Sequence, residues 1–320
     1  MRNIWKFSIF IVALGLFSTL FFIPSVTQKP ETTKVKVVAT IFPAYDFSRT
    51  IGADTETDLK LLIKPGVDLH SFEPTPQDII NIKESDIFIY NGGESETWVN
   101  QILSEIDTNN TTVIRMMDSV ELLEETNSDV IEPESEPETT DYDEHIWTAP
   151  QNVIKISQKI AQAFIYYLPN DSAVIQRNLD DYTAQLKQLD QDFSTLAETK
   201  TGTLIVADRF PFRYFINAYH FNYIAAFPGC SEQTEASAKT ITKLVEAANN
   251  NPPKVIFHLE LSNTKIAQTV AESTHAKLLE WHSIHNVTQE DFDSGKTYLD
   301  FMRQNLINIS EALGDAPQSN

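Results

Sequence analysis

Seven histidines and a single cysteine set the chemistry open to this 320-residue chain. One thiol cannot build a disulfide framework or a cysteine-rich zinc or iron–sulfur site, so any metal must be held by imidazole and carboxylate. The histidines are His70, His145, His220, His258, His275, His282 and His285, and their placement separates them. His70 follows a β-like run ending at Ile63, and His282 directly follows another ending at Trp281. Both stand beyond the carboxyl end of a strand, the edge at which open α/β sheets bind ligands. His145 stands in Asp143-Glu144-His145-Ile146-Trp147, shortly before a helix begun near Pro150. Neutral imidazole is the commonest metal ligand and suits zinc, so three such rings converging from separate segments would make a cation site. The others have structural explanations. His220 ends a helix, where the dipole favours it. His258 lies inside a strand as a half-buried ring, and His275 faces solvent in a helix-to-strand turn. His285, three residues after His282, is either a second ligand or the group that orients the first through a hydrogen bond.

The elements that must position these side chains are short. From Lys34 onward, β-branched runs alternate with helical patterns, the signature of βαβ units rather than of a sandwich. Strands are expected at 36–40, 58–63 and 87–91, with helices at 44–51 and 75–83. The rhythm repeats as strands at 203–207, 222–227, 254–259 and 277–281, separated by helices at 212–219, 236–249 and 263–273. Between the two sets, 151–167 and 171–198 carry apolar residues at helical spacing, the second as Val174, Leu179, Tyr182, Leu186, Leu189 and Phe193. The expected fold class is α/β: two parallel-sheet lobes, 34–170 and 199–320, joined by one long helix over 171–198.

A net charge of −21 excludes nucleic acid as a partner, because the 24 lysines and arginines are scattered rather than gathered in a stripe. Residues 1–33 differ from the rest. Arg2 and Lys6 precede an apolar run from Phe7 to Ile23, closed by Pro24. That pattern is an export signal or a membrane anchor. No cysteine follows it for lipid attachment and no good cleavage site is evident, which favours an uncleaved anchor and an extracytoplasmic body. Residues 121–144 are rich in Glu and Asp with almost nothing apolar, and are expected to form a mobile acidic loop.

His70-Ser71-Phe72-Glu73-Pro74-Thr75-Pro76-Gln77-Asp78 resembles the H-x-[FY]-E-x-[TS]-P-x-D signature of the solute-binding proteins of bacterial ABC transporters for zinc and manganese. Supporting likenesses run through Ala39-Thr40-Ile41-Phe42-Pro43, Asp86 to Gly93, Glu144 to Pro150, Phe212-Arg213-Tyr214-Phe215, Glu235 to Lys239 and Ala276 to Leu279. The resemblance implies two lobes on a rigid helix with one divalent ion in the cleft, carried by a monomer to a membrane permease. It places the family's first two histidine ligands on His70 and His145 and its fourth position on His282. At the third position stands Arg209, which stays protonated and cannot coordinate a cation. It is expected to pair with Asp208, Glu232 or Glu260. The fourth ligand is then open among His285, Asp208, Glu232, Cys230 and water.

Three imidazoles favour tetrahedral zinc over oxygen-loving manganese. Three histidines and a water also make a catalytic zinc arrangement, but no general base stands in a motif such as H-E-x-x-H, so a hydrolase is the minor alternative. A surface adhesin of the same fold is the other. Cys230, in the turn Phe227 to Glu232, is expected to be a buried thiol rather than a ligand.

Overall fold

The computed structural model describes residues 34–67, 69, 72–106, 110–125, 129–132, 142–229 and 235–315. Segment 1–33, His70, Cys230, Glu232 and residues 126–128 and 133–141 of the acidic stretch lie outside the described residues.

The first sheet is built from β1 (Val35–Ala39), β2 (Thr57–Leu61), β3 (Ile87–Tyr90) and β4 (Thr112–Arg115), all parallel in the order β2-β1-β3-β4. Its crossovers carry α1 (Phe42–Ile51), α2 (Pro76–Lys83) and α3 (Val99–Leu103). β3 reads Ile-Phe-Ile-Tyr and is buried throughout, because a parallel strand covered on both faces needs a continuous apolar run. α2 starts where its sequence says it must: Thr75 and Asp78 form a reciprocal capping box, with Pro76 at the first helical position.

α4 (Pro150–Tyr167) and α5 (Ser172–Thr199) follow. The 28 residues of α5 reach about 42 Å at 1.5 Å per residue. Its buried stripe is Ile175, Leu179, Tyr182, Leu186, Leu189, Phe193 and Leu196, so Ile175 rather than Val174 begins it. The second sheet then repeats the first in plan. After the short β5 (Lys200–Thr201) come β6 (Thr203–Phe210), β7 (Asn222–Pro228), β8 (Val255–His258) and β9 (Lys277–Glu280), parallel in the order β7-β6-β8-β9. α6 (Arg213–Tyr219), α7 (Ala238–Asn250) and α8 (Lys265–Thr274) connect them. The chain closes with α9 (Gln289–Asp293), α10 (Tyr298–Ala312) and β10 (Gly314–Asp315), which pairs antiparallel with β5. His220 and His275 occupy the left-handed C-caps of α6 and α8, and His258 is half-buried with Nδ1 2.9 Å from the Leu259 carbonyl.

In each sheet the chain leaves its first strand to one side and returns on the other. The strand order therefore reverses between β1 and β3, and again between β6 and β8. Crevices at the carboxyl ends of such strands are where α/β sheets take ligands.

Two further connections bear on the site. α10, which belongs by sequence to the second half, packs on α1 of the first. The Tyr298 amide donates to Asp46 at 2.8 Å, Phe47 meets Tyr298 edge-on, and Phe42 meets Phe301 in the same way. The described part of the acidic stretch is also tied down. Val130 bridges Ala225 in parallel, Ile131 and Glu132 donate to the Ala225 and Ala226 carbonyls, and Glu132 accepts from the Ser237 amide and the Thr240 hydroxyl. Residues 129–132 thus extend the β7 edge of the second sheet, which differs from a loop mobile along its whole length. Backbone pairing, with Ile131 packed against the core of the second sheet, holds this part of an otherwise polar stretch. No helix among the described residues is long and apolar enough to cross a membrane.

Candidate metal centre

His145 is fully buried at the entry to α4, and a set of backbone and side-chain bonds fixes its ring. Its amide donates to Asp143 Oδ1 at 2.8 Å, and its Nδ1 lies 3.1 Å from the same oxygen. A carboxylate acceptor places the proton on Nδ1 and leaves the Nε2 lone pair facing away, the arrangement that orients metal-binding imidazoles. Nε2 is buried and takes no hydrogen bond among the described residues. Asp143 is itself held from two sides. Its amide donates to the Leu123 carbonyl at 2.9 Å, and its carbonyl accepts from Tyr214 Oη at 3.0 Å. Burial works to lower the pKa of His145. The charge of Asp143 and its hydrogen bond, with smaller contributions from Glu144 and Glu125, outweigh burial and leave the pKa raised above its ordinary 6.5.

The loop after β3 grips the neighbouring residue. Asn91 donates to the Glu144 carbonyl at 2.8 Å, and the Ser95 amide and hydroxyl both donate to the Glu144 carboxylate. Gly93, at φ +112°, lies so close that a Cβ there would stand 2.5 Å from Glu144 Oε2. Only glycine fits.

The opposite wall comes from the turn after β9. Ile284 adopts φ +63°, a left-handed conformation that a β-branched residue rarely takes without a reason. Its amide donates to His282 Nδ1 at 2.9 Å, while the His282 backbone is clasped by Asn305, which accepts from its amide and donates to its carbonyl, both at 2.8 Å. Glu260 completes the turn by accepting from the Ser283 amide at 2.7 Å, the Ser283 hydroxyl at 2.5 Å and the His285 amide at 3.2 Å. Burial pushes the Glu260 carboxyl up to about 7. The turn presents the His285 ring edge-on to His145, with ring centroids 4.8 Å apart. Trp147 lies 5.6 Å from the first ring and 5.3 Å from the second, and its Nε1 donates to the Ser283 carbonyl at 2.8 Å. One indole thus fixes both histidine-bearing segments at once.

The described residues that could hold a metal together are Glu144, His145 and His285, whose ligand atoms all lie within 4.8 Å of one another. His282 is not brought to this group. Its ring packs on Phe301 at 4.1 Å, one nitrogen is taken up by the Ile284 amide, and burial lowers its pKa to about 4. Of the two histidines, His282 is bound into the turn and His285, which the sequence leaves open as a ligand or an orienting group, is the one that stands beside His145. The signal in the sequence is the three-residue spacing, which is symmetric until the backbone of Ile284 is known. Arg209 lines a cavity of about 120 Å³ beside this group, together with Leu69, Glu260, Ser283 and His285. Neither described carboxylate expected to pair with it does so. Asp208 accepts from the Arg209 and Leu259 amides instead, and Glu260 serves the turn.

Two parallel-sheet lobes thus accompany a group of two imidazoles and one carboxylate that could hold a metal ion. Residues 37–312 match the family described as zinc-uptake complex component A, periplasmic, and the chain belongs to that family. It is 28% identical over 282 residues to the high-affinity zinc uptake system protein ZnuA of Bacillus subtilis, covering 88% of each chain. It is 26% identical over 296 residues to the zinc-binding lipoprotein AdcA of Streptococcus pneumoniae, covering 92% of this chain and 58% of that one. Among solved structures, the metal-dependent lipoprotein YcdH of Bacillus subtilis superposes with a TM-score of 0.74 at 28% identity, over 88% of this chain and 100% of that one. The family is a transport component and not an enzyme, which removes the hydrolase alternative.

Proposed function

We propose that this protein captures one zinc ion outside the cytoplasm and delivers it to an ABC permease. The observation that carries the reading is the convergence of His145 and His285, the first with its Nδ1 fixed by Asp143 and its Nε2 buried. His70 joins them as the third nitrogen. Its place rests on the motif His70 to Asp78, and is supported by the pinning of the preceding chain beside His285: Asn286 donates to the Lys64 and Val67 carbonyls at 2.9 and 2.8 Å. His282 acts through the turn. The lobes divide as 34–170 and 199–320 about the helix near 171–198, and the protein works as a monomer. The relatives named lipoproteins suggest membrane attachment. Here the only cysteine is Cys230, so attachment is through the apolar run Phe7 to Ile23.

Calorimetric titration of zinc into metal-free protein tests the assignment. One zinc per chain is expected, with manganese weaker. Because a lost ligand costs more than a lost orienting group, His145→Ala and His285→Ala should abolish tight binding, whereas His282→Ala should weaken it by about 10- to 100-fold. Tight binding retained in His285→Ala and abolished in His282→Ala would return the fourth position to His282.

A further inference from the structure

Glu96, in the loop after β3, is only 2% exposed, and burial pushes its carboxyl up to about 7. A carboxyl group taken out of water costs stability unless it makes bonds in return. Its Oε2 accepts from the Gly92 amide at 2.7 Å, so the side chain reaches back and closes loop 91–96 on itself. Ionised or protonated, the carboxyl keeps an acceptor oxygen for that amide.

The loop so closed is the one that grips the residue before His145. Asn91 holds the Glu144 carbonyl, the Ser95 amide and hydroxyl hold its carboxylate, and Gly93 lies against it. Packing alone does not fix the loop there. Gly92 and Gly93 bring no side chains to brace it, and behind it lies a cavity of about 230 Å³ lined by Gly92, Gly93, Glu96, Arg115 and Tyr142. With open space on one side and Glu144 on the other, the place of the loop falls to the bond between Gly92 and Glu96. The second lobe uses the same device. β8 occupies the position in its sheet that β3 occupies in the first, and Glu260, just beyond β8, is a buried carboxyl that holds the turn bearing His285.

We propose that Glu96 is a positioning residue for zinc capture: by holding the Gly92 amide it keeps Asn91 and Ser95 seated on Glu144, and so sets the place of Glu144 and His145 without meeting the ion. This rests on the zinc reading above. Zinc affinity then depends on the reach of the side chain at residue 96 and not on its charge.

The test separates reach from charge in the full chain, stripped of metal and titrated with zinc. Glu96→Gln loses the charge and keeps an acceptor oxygen at the same reach. Glu96→Asp keeps the charge and falls one methylene short of Gly92. Glu96→Asp should weaken zinc binding by about tenfold or more, as the loss of an orienting partner does, while Glu96→Gln should stay within about threefold of the unmodified protein. Glu96→Leu, which fills the space and accepts nothing, should follow Glu96→Asp and serves in its place where that variant does not fold. Hydrogen exchange of the metal-free variants gives a readout that a general loss of stability would not localise. Amides 93–95 should exchange faster in Glu96→Asp than in Glu96→Gln, with β3 and α5 alike in the two. Equal zinc affinities in Glu96→Asp and Glu96→Gln, or a greater loss in Glu96→Gln, overturns the proposal. So does weaker zinc binding in Glu96→Asp with exchange at 93–95 unchanged. Absence of zinc binding in the unmodified protein instead overturns the zinc reading, while the exchange contrast still tests the grip of the loop on Glu144.

Discussion

The carboxylate of Asp143 does two things to His145, and they pull zinc affinity in opposite directions as pH falls. It fixes the tautomer with Nε2 available, and it stabilises the imidazolium that cannot bind metal. Because the pKa of His145 is raised, zinc affinity should begin to fall at a higher pH than an ordinary histidine of pKa 6.5 dictates. Asp143→Asn removes the charge and keeps an acceptor oxygen. The fall in affinity should then move to lower pH, while affinity on the neutral plateau drops by about tenfold or more through poorer ring placement. Dissociation constants measured across the acid range check both signs. A variant whose midpoint moves upward, or not at all, would show that burial rather than Asp143 governs this ring. The histidines also show the limits of spacing as a guide. Sequence marks 282–285 as a chemical segment because two imidazoles follow a strand. Which of the two rings stands beside His145 is set by a left-handed Ile284 and by Asn305, which lies in a helix more than a dozen residues further along. Neither leaves a mark in the local pattern.

The elements carry the site through their ends, so the loops after the strands are where small changes should have large effects. Gly93 is the clearest case. Alanine there meets both a φ of +112° and the Glu144 carboxylate. Gly295, at φ +77°, has nothing within 4 Å of the point where a Cβ would stand and provides the comparison. Each substitution should cost about 1–3 kcal/mol in backbone strain, but only Gly93→Ala should also displace Glu144 and weaken zinc binding. Thermal melts and zinc titrations of the two variants separate strain from site damage; equal zinc affinities in both would mean that Glu144 does not shape the site. The strand–helix alternation is largely legible in the sequence, because buried parallel strands demand β-branched runs and helices announce themselves with caps such as Thr75 and Asp78. β4 and α10 stand outside that reading. β4 is four residues long, with one residue fully buried, and so lacks a strong apolar signal. α10 does carry a capping box at Thr297 and Asp300, yet nothing in its own sequence says that it crosses to pack on α1. Such contacts depend on residues some 250 positions apart and belong to the fold rather than to the segment.

Those distant contacts set how the whole molecule responds to its cargo. A two-lobed protein that closes like a jaw needs a solvent-filled cleft and a thin hinge. Here a single apolar cluster runs from Val35 to Leu313, including residues of both sheets and of α1, α4, α5, α6 and α10. Asp46, buried in α1, accepts from the amide of Tyr298, and Tyr298 Oη donates to the Trp147 carbonyl at 2.8 Å. Parting the lobes would expose close-packed side chains and break these bonds, at a cost no single ion's differential affinity readily meets. Capture should therefore proceed by small rearrangements of the loops around residues 64–69, 92–95 and 282–287, with the lobes nearly fixed on α5. Small-angle scattering of metal-free and zinc-loaded protein should give radii of gyration that agree within about 0.5 Å, against about 19 Å for a compact body of this size. Hydrogen exchange should slow on zinc binding in those loops and remain unchanged in α5 and α10. A larger contraction, or protection spreading along α5, would mean that the cluster splits on release of the ion and that the long helix bends. Tyr298→Phe decides between the two descriptions independently. It leaves the Trp147 carbonyl without its donor and should lower stability by about 1–2 kcal/mol, yet in a molecule that does not open it should leave the scattering difference between the two states as small as before.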